Sequence, residues 1–81
     1  MITLLYFAAL RELMGSGQES IALPPEVHDV RTLGAWLEEA RPALRGRLGS
    51  VRFAVDEVFA GPDDAILPGA VVALIPPVAG G

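Results

Sequence analysis

Apolar residues recur along the chain with two different periods, and the switches between them mark out the elements. Ile2 to Phe7 is apolar on both faces and rich in branched and aromatic residues, which reads as a strand. From Ala8 to Met14 the residues become good helix formers, and Gly15 supplies the position at which a helix stops. Gly15-Ser16-Gly17 reads as a loop, because its G-x-G follows a helical segment and opens none. Glu19 to Leu23 is a short strand with Ile21 and Leu23 on one face, closed by Pro24-Pro25. Thr32 is placed to cap the main helix, whose stripe is Leu33, Trp36, Leu37, Ala40 and Leu44. Arg31, Glu38, Glu39 and Arg41 take its wet side, Pro42 kinks or ends it, and Gly46 and Gly49 close the region. Trp36, at this spacing, is read as core.

Val51 to Val55 alternates as a half-buried strand, and Asp56-Glu57 makes a tight turn into Val58-Phe59-Ala60. Gly61-Pro62-Asp63-Asp64 is a turn by composition, and Pro68-Gly69 is a type II pair that feeds a last strand, Val71 to Ile75. The first and last strands are the most apolar on both faces, so they are expected side by side at the sheet centre. One main helix and one short helix against a mixed sheet of about five strands give an α+β fold of the β-grasp kind, in two layers.

Composition narrows the chemistry. Eighty-one residues make one domain, and with no cysteine and a single histidine it has neither disulfide nor zinc cluster to help it fold. The 52% apolar content argues against disorder. No stretch approaches the ~20 apolar residues of a membrane span, and the start lacks a basic leader region, so a cytoplasmic protein is expected. A net charge of −4 disfavours nucleic acid and anionic membrane as partners. The six basic residues are all arginine; without lysine, an activated carboxylate would meet no ε-amine in its own chain, but arginine-rich codon usage is the favoured account and the absence counts for little.

The parts of an autonomous enzyme are missing. His28 lies in a loop without a nucleophile beside it, and a lone histidine makes no metal site. Ser16, Ser20 and Ser50 sit in turn-like contexts, and the carboxylate pairs Glu38-Glu39 and Asp63-Asp64 belong to a polar helix face and a turn. What remains is the chain end. Pro76-Pro77 stops the last strand because proline gives no donor to the ladder, which sets a domain of residues 1–77 and a flexible tail of residues 78–81. Val78-Ala79-Gly80-Gly81 reaches at most ~14 Å beyond the prolines, a shape suited to a narrow channel in another protein. Gly81 has no Cβ to obstruct attack on its carbonyl, and both glycines can bend as other residues cannot.

The terminal run Pro76-Pro77-Val78-Ala79-Gly80-Gly81, with Phe7-Ala8, Arg11-Glu12-Leu13, Gly15, Ala54-Val55-Asp56 and Pro68-Gly69, resembles the small subunits of molybdopterin synthase, ubiquitin-related β-grasp sulfur carriers. The resemblance covers the whole chain. It implies that Gly81 is adenylated by a ubiquitin-activating-type adenylyltransferase using ATP and magnesium, this chain binding no cofactor itself. A sulfurtransferase then supplies the sulfur of a thiocarboxylate. The loaded tail, Pro76 to Gly81, enters the large synthase subunit and passes sulfur to cyclic pyranopterin monophosphate, in a heterotetramer of two small subunits on a large-subunit dimer. Phe7, Phe59 and Ile75 match partner-docking positions of the family; the competing reading is that all three fill the core. Leu13 is expected buried, with Arg11 and Glu12 at the surface. Asp56 stands where the family often has Asn, and Pro68-Gly69-Ala70-Val71 where it often has an acidic turn, which would weaken charge steering toward a basic activating enzyme. The same tail would equally serve a sulfur carrier for thiamin thiazole or cysteine, or a protein modifier. A plain interaction module with an incidental Gly-Gly end is the alternative of another class.

Overall fold

In the computed structural model, which describes residues 1–77, the elements run β1 (Ile2–Tyr6), α1 (Ala8–Met14), β2 (Gln18–Ile21), α2 (Val30–Ala40), β3 (Arg52–Val55), β4 (Val58–Ala60) and β5 (Val71–Ile75). Short 3-10 turns occupy Pro42–Leu44 and Leu48–Ser50. The sheet order is β2-β1-β5-β3-β4. β1 and β5 are parallel neighbours at its centre, as their two-sided apolarity predicts, and the other pairings are antiparallel. This is a β-grasp fold.

Local chemistry fixes the ends of each element. Gly15 takes φ 73 and donates its N–H to the Arg11 and Glu12 carbonyls, closing α1 where expected. The α2 cap is corrected: Asp29 is the N-cap and Thr32 the third helical residue, so the helix starts two residues before Thr32. Asp29 Oδ1 accepts from the Thr32 N–H at 2.8 Å, and Thr32 Oγ1 accepts from the Asp29 N–H at 3.1 Å, a reciprocal box that satisfies two orphan donors. The Thr32 hydroxyl also donates to Asp29 Oδ1 at 2.7 Å, and this bond, then the one from the Thr32 N–H, holds the Asp29 carboxyl below its ordinary range. At the other end α2 stops at Ala40, and Pro42 opens the 3-10 turn that delivers Leu44 to the core. β2 begins one residue early and stops at Ile21, while Leu23 still packs on the core.

Asp56 and Glu57 adopt φ 50 and φ 72, a two-residue turn of the primed kind that matches the twist of the β3–β4 hairpin. The Asp56 N–H donates to the Val71 carbonyl at 2.8 Å and Asp56 Oδ1 accepts from the Val71 N–H at 2.9 Å, so the turn also clamps the start of β5. Gly69 at φ 87 completes the turn after Pro68, with the Ala70 N–H on the Leu67 carbonyl.

The core lies on one side of the sheet. Ile2, Leu4 and Tyr6 of β1 and Val72 and Leu74 of β5 cluster with Val30, Leu33 and Leu37 of α2, and Val27, Leu44 and Ile66 close the rim. Trp36 is half-buried against this cluster rather than within it, with the Arg41 guanidinium carbon 5.7 Å from its ring centroid. Leu13 corrects the sequence reading: it is 39% exposed. A seven-residue α1 turns Leu10 into the core, Met14 takes the next inward place one turn on, and Leu13 is left at the side. Arg11 and Glu12 are exposed.

Candidate functional site

Among the described residues, no helix covers the second face of the sheet. Strand residues alternate between faces, so the partners of the buried positions point outward: Leu5 on β1, Val71, Ala73 and Ile75 on β5, and Ala54 on β3. Register places them side by side, Leu5 opposite Ala73, Ala73 opposite Ala54, and Ala54 opposite Phe59 of β4. With Phe7 and Glu57 these residues line one shallow depression of ≈ 280 Å³. Ala54 is buried on this face by its neighbours and is not part of the helix-side cluster.

Phe7, Phe59 and Ile75 therefore meet on one surface, and none of them fills the helix-side core. Phe7 is 45% and Phe59 56% exposed, and Ile75 is half-buried. Phe7 is turned outward at the β1–α1 corner, where it forms the extended N-cap of α1 and the next residue, Ala8, takes φ 50. That left-handed angle is unusual for a residue with a Cβ, and it lets the chain change from strand to helix within one residue. Phe59 is fixed differently. The Arg52 guanidinium carbon lies 4.1 Å from its ring centroid, a stack that leaves the guanidinium edge open to solvent.

β5 runs from this face straight into the prolines. Pro76 is half-buried beside Ala9, Leu10, Leu13, Arg47 and Val51, and Pro77 is exposed. The exposed Leu13, misplaced by sequence reasoning, is thus part of the wall along which the chain leaves. Val78, Ala79, Gly80 and Gly81 lie outside the described residues.

On the helix side, a polar network ties the neighbouring strands together. The Tyr6 hydroxyl donates to Glu19 Oε1 at 2.6 Å, and Arg41 donates to the same carboxylate through Nε at 3.0 Å and Nη2 at 3.3 Å. Burial, then the Glu19 hydrogen bond and charge, push the Tyr6 hydroxyl far above its ordinary range. Burial alone would raise Glu19, but the bonds from Arg41 and Tyr6 and the Arg41 charge together outweigh it and hold the carboxyl below its ordinary value. Three residues from β1, β2 and the end of α2 are thereby locked together next to Phe7. Sequence reasoning missed this network, as it missed the Arg52 stack and the Asp29 cap. Only the last had a local signal, the spacing D-x-x-T before an apolar stripe.

The remaining groups assigned no chemistry from sequence stay apart. His28 is exposed, with Nδ1 3.5 Å from Asp29 Oδ2. Asp63 pairs with Arg31 at 2.8 Å, and Glu38 accepts from the Gly46 N–H at 2.9 Å. Among the described residues there is no group of three or more His, Cys, Asp or Glu that could hold a metal ion, and no helix long and apolar enough to cross a membrane. A groove of ≈ 520 Å³ lies on the helix side between α2 and β3, and shares Val51 with the depression around Pro76.

Comparison with known proteins agrees with this geometry. The model of the ThiS family matches residues 4–81. The molybdopterin synthase sulfur carrier subunit of Homo sapiens is 33% identical over 85 residues, covering 99% of this chain and 93% of its own length. That of Chlamydomonas reinhardtii is 35% identical over 82 residues, covering 99% and 98%. Among solved structures, SAMP1 from Haloferax volcanii superposes with a TM-score of 0.80 at 26% identity, covering 99% of this chain and 98% of that one.

Proposed function

The chain belongs to the ThiS family, and from that premise we propose that it is the sulfur-carrier subunit of a molybdopterin synthase, with the Gly81 carboxylate as the group that carries sulfur. The observation that supports this best is the continuity between the central strand and the prolines. β5 is paired with β1 through Leu74 and with β3 through Ile75, so Pro76 leaves from the middle of the sheet beside an uncovered apolar face. Docking energy comes from that face, and chemistry is delegated to the tail. This division suits a reactive end rich in glycine, whose ordering on entering a channel costs entropy that the tail itself has few contacts to offset.

The chemistry proceeds off this molecule. A ubiquitin-activating-type enzyme, using ATP and magnesium, lets the Gly81 carboxylate attack the α-phosphate, releasing pyrophosphate and leaving an acyl adenylate. A sulfur nucleophile supplied by a sulfurtransferase displaces AMP, and the product is the thiocarboxylate. The face carrying Phe7, Phe59 and Ile75 docks on the synthase large subunit, the tail from Pro76 to Gly81 enters it, and sulfur passes to cyclic pyranopterin monophosphate. Two deliveries complete the dithiolene, in a heterotetramer of two small and two large subunits. The small chain contributes no acid, base or metal ligand to these steps. Its parts are an unobstructed carbonyl and a rigid exit.

The test is direct. Protein co-expressed with its activating enzyme shows, by intact mass, one oxygen replaced by one sulfur. Deletion of Gly81 abolishes molybdopterin formation and leaves thermal unfolding and large-subunit binding nearly intact, because among the described residues the core extends no further than Leu74 and docking uses the sheet face. A truncated chain that still supports product formation overturns the proposal. The likeness to SAMP1, named small archaeal modifier protein 1, favours one second reading, transfer of the same activated carboxyl to protein amines. Covalent adducts on other proteins, seen with the activating enzyme and ATP, distinguish it.

A further inference from the structure

The uncovered sheet face is apolar in its middle and oppositely charged at its two ends. At the end where β5 leaves the sheet, Arg52 stands directly across from Ile75 on this face, and Arg47 lies around the corner, in the depression that α1 and Leu10 form about Pro76. At the other end, Glu57 lines the apolar depression beside Val71, next to Asp56 in the same turn. Among the described residues, the ion pairs join Arg31 to Asp63, Arg41 to Glu19 and His28 to Asp29, and none of them uses Arg47, Arg52 or Glu57. Stacking on Phe59 holds the Arg52 guanidinium at the border of the apolar patch with its donor edge free, the arrangement that accepts a carboxylate with two parallel bonds.

We propose that this polarity selects the direction of docking. The partner presents carboxylates at the mouth of the channel that receives the tail, facing Arg52 and Arg47, and a cationic group at the far side, facing Glu57. This rests on the docking face proposed above and adds the charge pattern of the partner to it. Arg52 and Glu57 are separated by the length of β3, ~13 Å for four residues. That exceeds the ~8 Å screening length at physiological salt, so each end senses its own opposite charge rather than the sum. In a reversed encounter each end meets a like charge and the tail points away from the channel. The floor between Phe7, Phe59 and Val71 is made of the aliphatic residues Leu5, Ala54 and Ala73, so the charges at the two ends add to the directional cue that Phe7 gives at the exit end.

The test measures association of the cognate large synthase subunit with Arg52→Glu, Arg52→Lys, Glu57→Arg and Phe59→Ala, after thermal unfolding has shown each to be folded. At low salt each charge reversal slows association by roughly fivefold, the effect disappears at about 0.5 M salt, and Arg52→Lys stays near wild type. Arg52→Glu associating at the wild-type rate at low salt overturns the proposal, as does a defect that persists undiminished at high salt. Phe59→Ala separates the two levels of inference. If it loses affinity while the charge variants bind normally, only the charge pattern fails. If it too binds normally, the docking face itself is wrong.

Discussion

Replacing Glu19 by glutamine tests whether the network beside Phe7 stabilises the fold through charge. The carboxylate accepts one bond from Tyr6 and two from Arg41, with the Glu19 and Arg41 side chains 29% and 30% exposed. Glutamine keeps the shape and one acceptor oxygen but loses the charge. Charge-assisted hydrogen bonds contribute about 1.5–3 kcal/mol each when well sheltered, and exposed ion pairs under 1 kcal/mol. With nearly a third of each side chain in water, the loss falls near the middle, about 1.5 kcal/mol. An unfolding entropy of about 2.1 cal/mol/K per residue gives about 0.17 kcal/mol/K for 81 residues, hence a Tm about 9 °C lower near pH 7. The sign with pH follows from the direction of the shift. Glu19 titrates below its ordinary 4.5 in the folded chain, so its contribution is complete above that value and fades as pH falls through the folded pKa. Wild type and Glu19→Gln are therefore expected to converge in thermal scans, followed by circular dichroism, as pH falls below 4.5 and Glu19 becomes protonated in the folded chain. Equal Tm values at pH 7 would refute the ionic account. A gap that does not narrow as pH falls would show that packing, not charge, is responsible.

Other perturbations probe the local devices. Asp29→Ala removes the α2 cap and lowers Tm, whereas Asp29→Asn, which keeps an acceptor for the Thr32 N–H, does so much less; thermal scans of the pair decide it. Glu57→Gly relieves a left-handed angle held by a residue with a Cβ and raises stability by about 0.5 kcal/mol, read as a higher urea midpoint at unchanged slope.

Much of the fold was legible because its signals are local or periodic. Gly15, Pro42 and Pro68-Gly69 punctuate the chain through backbone angles and missing donors, which depend on no distant residue. The central pairing of β1 with β5 was legible too, because strands apolar on both faces have few other places to go. Leu13 shows where such reasoning stops. A helix of seven residues has too few turns for a stripe to declare itself, and whether position 10, 13 or 14 faces the core depends on how the β1–α1 corner is set. The contacts formed across the sheet were invisible for a related reason. Glu19 and Arg41 are 22 residues apart and Arg52 meets Phe59 across a hairpin, so neither pair has a spacing that marks it in advance. Phe7, Phe59 and Ile75 were open between core and surface until register put them on the face opposite α2.

Under the proposed function, the layout of β5 lets docking and chemistry reside in one small chain without interfering. Its inward residues, Val72 and Leu74, are fully buried in the core, and its outward residues, Val71, Ala73 and Ile75, belong to the uncovered face. Its end becomes the exit of the tail. Because side chains alternate with a period of two, the residues that hold the strand in place are not those that a partner touches. The face can therefore diverge with its partner while the core stays constant, and the direction in which Pro76 leaves stays fixed by the core rather than by the face. Docking strength can thus be tuned on the sheet without moving the origin of the tail. Parallel pairing with β1 completes the arrangement: Phe7 follows directly on the strand residue paired with Leu74, so the principal aromatic of the face and the proline exit sit at the same end of the sheet. On the proposed function, a partner that grips Phe7 holds the chain next to the prolines from which the tail departs.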